Sequence, residues 1–169
     1  MKTRKTAMYG LFLALALVAA YLERLLPVNL GVPGVKLGLA NIVTMILLYT
    51  VGVSGAVGVS TARVLLSGIL FHNGFAMVYA AAGAASSMLA MTLLKKTKRF
   101  SEVGVSVAGG VFHNVGQILV AAVVLETGAL FYYLPILILS GLGAGVAIGV
   151  LSGILIRRLE SVIRQAMES

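Results

Sequence analysis

Three hydrogen-bonding side chains stand together inside a long apolar run, in Gly109-Gly110-Val111-Phe112-His113-Asn114-Val115-Gly116-Gln117. At about 100° per helical residue, His113, Gln117 and Asn114 fall at roughly 0°, 40° and 100°, so one helix face carries all three, beside Gly110, Gly116 and Ala121. An imidazole and two carboxamides supply donors and acceptors for polar recognition. Left unsatisfied in hydrocarbon, such groups cost on the order of 2–7 kcal/mol each, so the face must turn toward protein, water or a bound molecule. It reads as the floor of a site; the competing reading is three polar groups that satisfy one another between helices.

A second candidate is Arg63, in the middle of another apolar run, about 12 Å from the nearer helix end, with Ser60 and Ser67 on its face. Glu23 and Glu126 belong near the outer surface, so no acid is expected at its depth. Arg63 either snorkels and braces backbone carbonyls or meets a substrate anion. Asn41 and Thr44 lie one turn apart and face the same space as Lys36. Phe71-His72-Asn73-Gly74 echoes Phe112-His113-Asn114-Val115-Gly116 and suggests an internal duplication, with His72 and Asn73 nearer the boundary and lining another level of the same cavity.

The elements that must hold these groups are membrane helices. Only 11% of the 169 residues are charged and the mean hydropathy is +1.06, against about 25% charged in soluble proteins. The pattern predicts an all-α, polytopic membrane protein: one integral membrane domain over residues 1–169, with six helices at about 8–26, 37–51, 55–71, 75–94, 104–125 and 130–156. The basic start resembles a secretory signal, but apolar segments continue to the C-terminus, so the first run reads as an uncleaved helix.

A net charge of +8 does not mark a nucleic-acid binder here, because ten of the thirteen Lys and Arg residues form three blocks bordering apolar segments. Lys2, Arg4 and Lys5 precede the first helix, Lys95, Lys96, Lys98 and Arg99 lie mid-chain, and Arg157, Arg158 and Arg164 follow the last. By the positive-inside rule all three face the cytoplasm, with both termini inside a cell membrane. The tail from Arg157 to Ser169 reads as a short amphipathic helix. Pro27 to Lys36, with two prolines and two glycines, is an external loop, either a lid over the bundle or a plain connector.

Small residues recur at fixed spacing. Gly10 and Ala14, and Ala16 and Ala20, are each four apart on the first helix, which suits close approach of another helix, in this chain or in a partner. Gly141, Gly145, Gly149 and Gly153 make a longer groove on the last helix, read as architectural.

Several chemistries have no residues to carry them. There is no cysteine, no aspartate and no Gly-x-x-x-x-Gly-Lys-Ser/Thr, so neither thiolate chemistry, a paired-aspartate magnesium site nor P-loop ATP hydrolysis is expected. Two histidines and five scattered glutamates predict no bound metal, and no cofactor is implied.

Lys36-Leu37-Gly38-Leu39-Ala40-Asn41, Arg63-Val64-Leu65-Leu66-Ser67-Gly68, His113-Asn114-Val115-Gly116-Gln117 and Tyr133-Leu134-Pro135 together resemble the membrane family called heptaprenyl diphosphate synthase component I, or Gx transporter family. The resemblance covers nearly the whole chain, and His-Asn-x-Gly-Gln is its most specific element. That family is in turn similar to the substrate-binding S subunits of energy-coupling factor transporters. This implies an S-component-like bundle, a ligand pocket under Pro27 to Lys36, and docking of Gly10, Ala14, Ala16 and Ala20 on a transmembrane coupling subunit driven by ATPases. The implied ligand is a small, anionic or isoprenoid-related molecule, contacted by Arg63, Lys36, His113, Asn114 and Gln117. The alternative is a non-catalytic accessory subunit of heptaprenyl diphosphate or quinone synthesis.

Overall fold

A computed structural model describes residues 2–25, 38–71 and 74–168, and every long element among them is a helix. α1 spans Lys2–Leu25, α2 Leu39–Thr50, α3 Val53–Phe71, α4 Gly74–Thr97, α5 Glu102–Val124 and α6 Leu134–Glu168, with a 3-10 segment at Gly128–Tyr133 before α6. Five of these helices are long and apolar enough to cross a membrane; α2, at 12 residues, is shorter than the expected span and is enclosed by its neighbours. Its Met45, Leu47 and Leu48 are fully buried.

The helix ends follow local chemistry. α1 is described to Leu25, the last described residue before Gly38. α2 passes into α3 through Gly52 at φ 112, whose N–H, like that of Val51, bonds the Leu47 carbonyl at 2.9 Å. That tight cap lets α3 begin at Val53 rather than at Gly55 as expected. α5 begins at Glu102 because Ser101 caps it, its Oγ accepting from the Gly104 N–H at 3.3 Å, with Glu102 in the positive first turn.

Two expectations at the end of the chain are corrected. The last helix does not start at Leu130: Thr127 caps a 3-10 turn, its Oγ1 accepting from Ala129 N at 3.3 Å, and α6 starts at Leu134, leaving Pro135 in a first turn where its missing N–H costs nothing. Nor is the basic tail a separate helix. It continues α6 to Glu168, because Ile156 and Ile163 keep the apolar stripe in register and bury themselves in the same cluster as Met45 and Leu48.

Met8, Leu94 and Met167 pack on that cluster as well, and Lys95 reaches from α4 to donate to the Leu48 carbonyl at the end of α2, its ammonium 4.9 Å from the Tyr49 ring centre. This satisfies a carbonyl that the end of α2 leaves without an intrahelical donor.

α5 is the axis of the other half. A Cβ on Gly110 would sit 2.5 Å from the Gly141 carbonyl oxygen, one on Gly145 2.5 Å from Val107 Cα, and one on Gly149 2.6 Å from Val103 Cα. On its α4 side, Gly109 admits Met91 and Gly116 admits Ser86. The four-residue glycine spacing on α6 therefore does what it was read to do, bringing two backbones into contact.

Candidate functional site

The helices enclose a cavity of about 160 Å³ to which all six contribute. Its polar lining comes from Glu23 on α1, Asn41 on α2, Arg63 and Ser67 on α3, and Ser106, His113 and Asn114 on α5, with the exposed Arg24 at its edge. Gly110, Gly141 and Gly145 form part of the wall beside Ala144 and Ile148, so the contact that joins α5 to α6 also supplies backbone to the cavity's lining.

Of the three groups on the α5 face, two reach the cavity. His113 lines it, and Asn114 lines it while its Nδ2 donates to the Leu137 carbonyl at 2.6 Å and to Ser140 Oγ at 3.3 Å. Asn114 is thus a link from α5 to α6 as well as a cavity wall. Gln117 is not among the lining residues. It packs on α4, its Cγ 2.8 Å from the place a Cβ on Gly83 would take, next to His113, whose Cε1 lies 2.9 Å from the same point.

Arg63 faces the cavity from α3, and its Nε is buried with no hydrogen-bond partner among the described residues. The expected absence of an acid at its depth is corrected: Glu23 lines the same cavity, and its charge acts on the guanidinium. Glu23 also accepts a hydrogen bond from the N–H of Gly38, the residue at φ 76 that opens α2, so a carboxylate sits at the positive end of that helix. The signal was available in the sequence. At about 100° per residue Glu23 falls within roughly 20° of Ala16 and 60° of Ala20, the inward face of α1.

Other candidates separate in the same way. Asn41 lines the cavity and Thr44 does not, being buried in the core. Ser67 lines it, whereas Ser60, also buried, belongs to a groove between α3 and α4. On α1, Ala16 is 2% exposed and Ala20 lines the cavity, whereas Gly10 and Ala14, about 120° and 160° around the helix from Ala16, are exposed, and nothing lies within 4 Å of a Cβ on Gly10. Lys36, His72, Asn73 and the loop Pro27 to Lys36 lie outside the described residues.

The site therefore combines the Arg63 guanidinium and an imidazole with one carboxylate inside the bundle, and adds the exposed Arg24 at the rim. That set suits holding an anion more than moving a proton or attacking a bond, because guanidinium forks match phosphate and carboxylate oxygens and the one acid is already engaged by a backbone N–H. The volume is close to the roughly 150 Å³ that accommodates a benzene-sized group, so the occupant within the walls is small.

The family model described as heptaprenyl diphosphate synthase component I matches residues 12–155. No curated protein and no solved structure matches the chain.

Proposed function

The chain belongs to the heptaprenyl diphosphate synthase component I family, and from that premise we propose that it is a non-catalytic membrane subunit of prenyl diphosphate synthesis that holds a small anionic, isoprenoid-related molecule. The family description implies a second component, and the absence of any aspartate supports placing the metal-dependent chemistry there. The observation that carries the reading is Arg63: a cation inside an apolar bundle, facing an enclosed cavity, with a buried Nε that no described residue satisfies. An anion seated between Arg63 and His113 supplies the missing partner.

The test is equilibrium binding of inorganic diphosphate to the purified chain, together with co-purification of a soluble prenyltransferase. Micromolar binding lost in Arg63→Gln, and recovery of the prenyltransferase, are expected; a variant that binds as well as the wild type would sink the reading.

A second reading, a substrate-binding subunit of an energy-coupling-factor-like transporter in the cell membrane with both termini cytoplasmic, has one observation in its favour. Gly10 and Ala14 leave a small-residue patch on the exposed side of α1, beside Leu11 and Val18. It predicts a transmembrane coupling partner and ligand uptake that Ala14→Leu abolishes without affecting binding.

A further inference from the structure

Between α3 and α4 runs an apolar groove of about 560 Å³, open to the lipid side, where Leu65 and Leu89 are 49% and 63% exposed. The two helices run antiparallel, so Val53 and Thr92 share one end of the groove and Leu65 and Ala81 the other. The alanines at 81, 84 and 85 leave the seam unfilled. It closes just beyond Leu65, at the contact where a Cβ on Gly68 would lie 2.6 Å from Met77.

The length of the groove decides what fits it. Val53 to Leu65 spans about 18 Å at 1.5 Å per residue, and one leaflet of a hydrocarbon core roughly 30 Å thick is about 15 Å deep. A seam that starts at a helix end and shuts near mid-membrane takes a chain from a single leaflet. A membrane-crossing helix laid along it would lose the seam after half its length.

The groove starts at the basic end of the bundle. At about 100° per residue, Lys96 falls within roughly 20° of Ala85 and 40° of Thr92, so it continues the α4 wall one turn past Thr92. Lys96 is exposed, whereas its neighbour Lys95 turns to the Leu48 carbonyl and the Tyr49 ring. At the same end α3 begins, its first backbone bond running from the Ala56 N–H to the Gly52 carbonyl at 3.2 Å, so the N–H groups before Ala56 stand at the positive end of a 19-residue helix. No residue lining the groove is acidic. Glu160, an acid of the same end, is paired with Arg164, and Glu102 lies beside Gly153 on α6.

We propose that the α3–α4 groove seats one acyl chain of an anionic phospholipid from the leaflet at the basic end, with the lipid phosphate held by Lys96 and the first turn of α3. The apolar walls select the chain, and the helix end and ammonium select the head group. A zwitterionic lipid gains less, because its own cation opposes Lys96.

The experiment is native mass spectrometry of the full chain from neutral detergent, after incubation with equal amounts of dioleoyl phosphatidylglycerol and dioleoyl phosphatidylcholine. The first lipid adduct is expected to favour phosphatidylglycerol at least fivefold. Lys96→Gln is expected to bring that preference below twofold, while Lys98→Gln, which removes the same charge from the loop after α4, keeps the wild-type ratio. Ala85→Leu fills the groove from an exposed position on α4 and is expected to lower the adduct yield of both lipids at least threefold. A wild type with no preference overturns the proposal without reference to any variant's folding. Equal losses in Lys96→Gln and Lys98→Gln do the same, by reducing the effect to net charge, as does an adduct yield that Ala85→Leu leaves intact. A dimer that disappears in Ala85→Leu while lipid adducts persist would make the groove a seat for a second copy of the chain instead.

Discussion

The seam between α5 and α6 and the seam between α3 and α4 are both built from small residues, and they have opposite characters. Where α5 meets α6, each glycine faces backbone: Gly110 against the Gly141 carbonyl, Gly145 against Val107 Cα, Gly149 against Val103 Cα. Where α3 meets α4 below Gly68, the alanines at 81, 84 and 85 face open space. In the first seam a missing side chain is replaced by another helix; in the second it is not replaced by protein. The difference teaches that four-residue spacing of small residues reports a close approach only when the opposing surface arrives, and otherwise marks room for something else.

The sharpest way to break this contrast is to add one methyl to each seam. Gly145→Ala would bring a Cβ to 2.5 Å from a backbone atom that cannot swing aside, an overpacking expected to cost about 1–3 kcal/mol or more. Gly143→Ala, on the same helix with nothing within 4 Å of its Cβ, is expected to change stability by less than about 0.5 kcal/mol. Thermal unfolding in detergent should show a drop of several degrees for the first and none for the second. Equal drops would mean that glycine matters to α6 for reasons other than the seam.

This contrast also shows what could be read in the sequence. The glycine run on α6 was legible because its spacing alone dictates a face, and the apolar runs gave the six helices because length and hydropathy decide them. Helix ends were less legible: the continuation of α6 through Arg157 and Arg158 depends on Ile156 and Ile163 finding a core that only the assembled bundle supplies. The cavity was half visible. His113, Asn114, Asn41 and Arg63 were found as polar groups in apolar runs, and Gln117 was placed with them because periodicity gives a shared face but cannot say which side chains on it a cavity reaches. Glu23 was missed because its distance along the chain from the helix centre hid the fact that it shares the inward face of Ala16.

At the cavity beside the open seam, Arg63→Gln removes the charge and leaves a shorter polar side chain with two N–H donors in place of five. Diphosphate affinity is expected to fall at least tenfold, about 1.4 kcal/mol, with thermal stability in the absence of ligand unchanged or raised, since an incompletely satisfied cation leaves the bundle interior. Titration and melting on the same preparation check both signs. A large loss of stability with no change in affinity would make Arg63 a brace of the α3–α4 seam instead.

Asn114 sits on the closed side of the contrast, because its amide ties α5 to Leu137 and Ser140 across the tight seam. Asn114→Ala removes that link, and membrane interhelical hydrogen bonds average about 0.6 kcal/mol with a maximum near 1.7. A melting shift of a few degrees at most is expected, well below that of Gly145→Ala. A larger collapse would mean that the polar link, rather than glycine packing, holds α5 to α6.

The smallest effect should come from a third kind of small-residue surface, one that faces neither backbone nor cavity. Gly10 and Ala14 are exposed on α1, flanked by the lipid-facing Leu11, Leu15 and Val18. If the rule drawn from the two seams holds, enlarging a small residue costs nothing where no protein opposes it, so Ala14→Leu should change the stability of the isolated chain by less than about 0.5 kcal/mol. Its diphosphate affinity should also match the wild type, because the side chain lies on the far side of α1 from Ala20 and Glu23. The informative measurement is then made in native membranes, where a helix from another subunit has the chance to supply the missing surface. Loss of a co-purifying membrane partner in Ala14→Leu, with stability and affinity intact, would place this patch with the α5–α6 seam as a surface that another backbone completes. An unchanged set of partners would place it with ordinary lipid-facing helix and remove the observation that favours the transport reading.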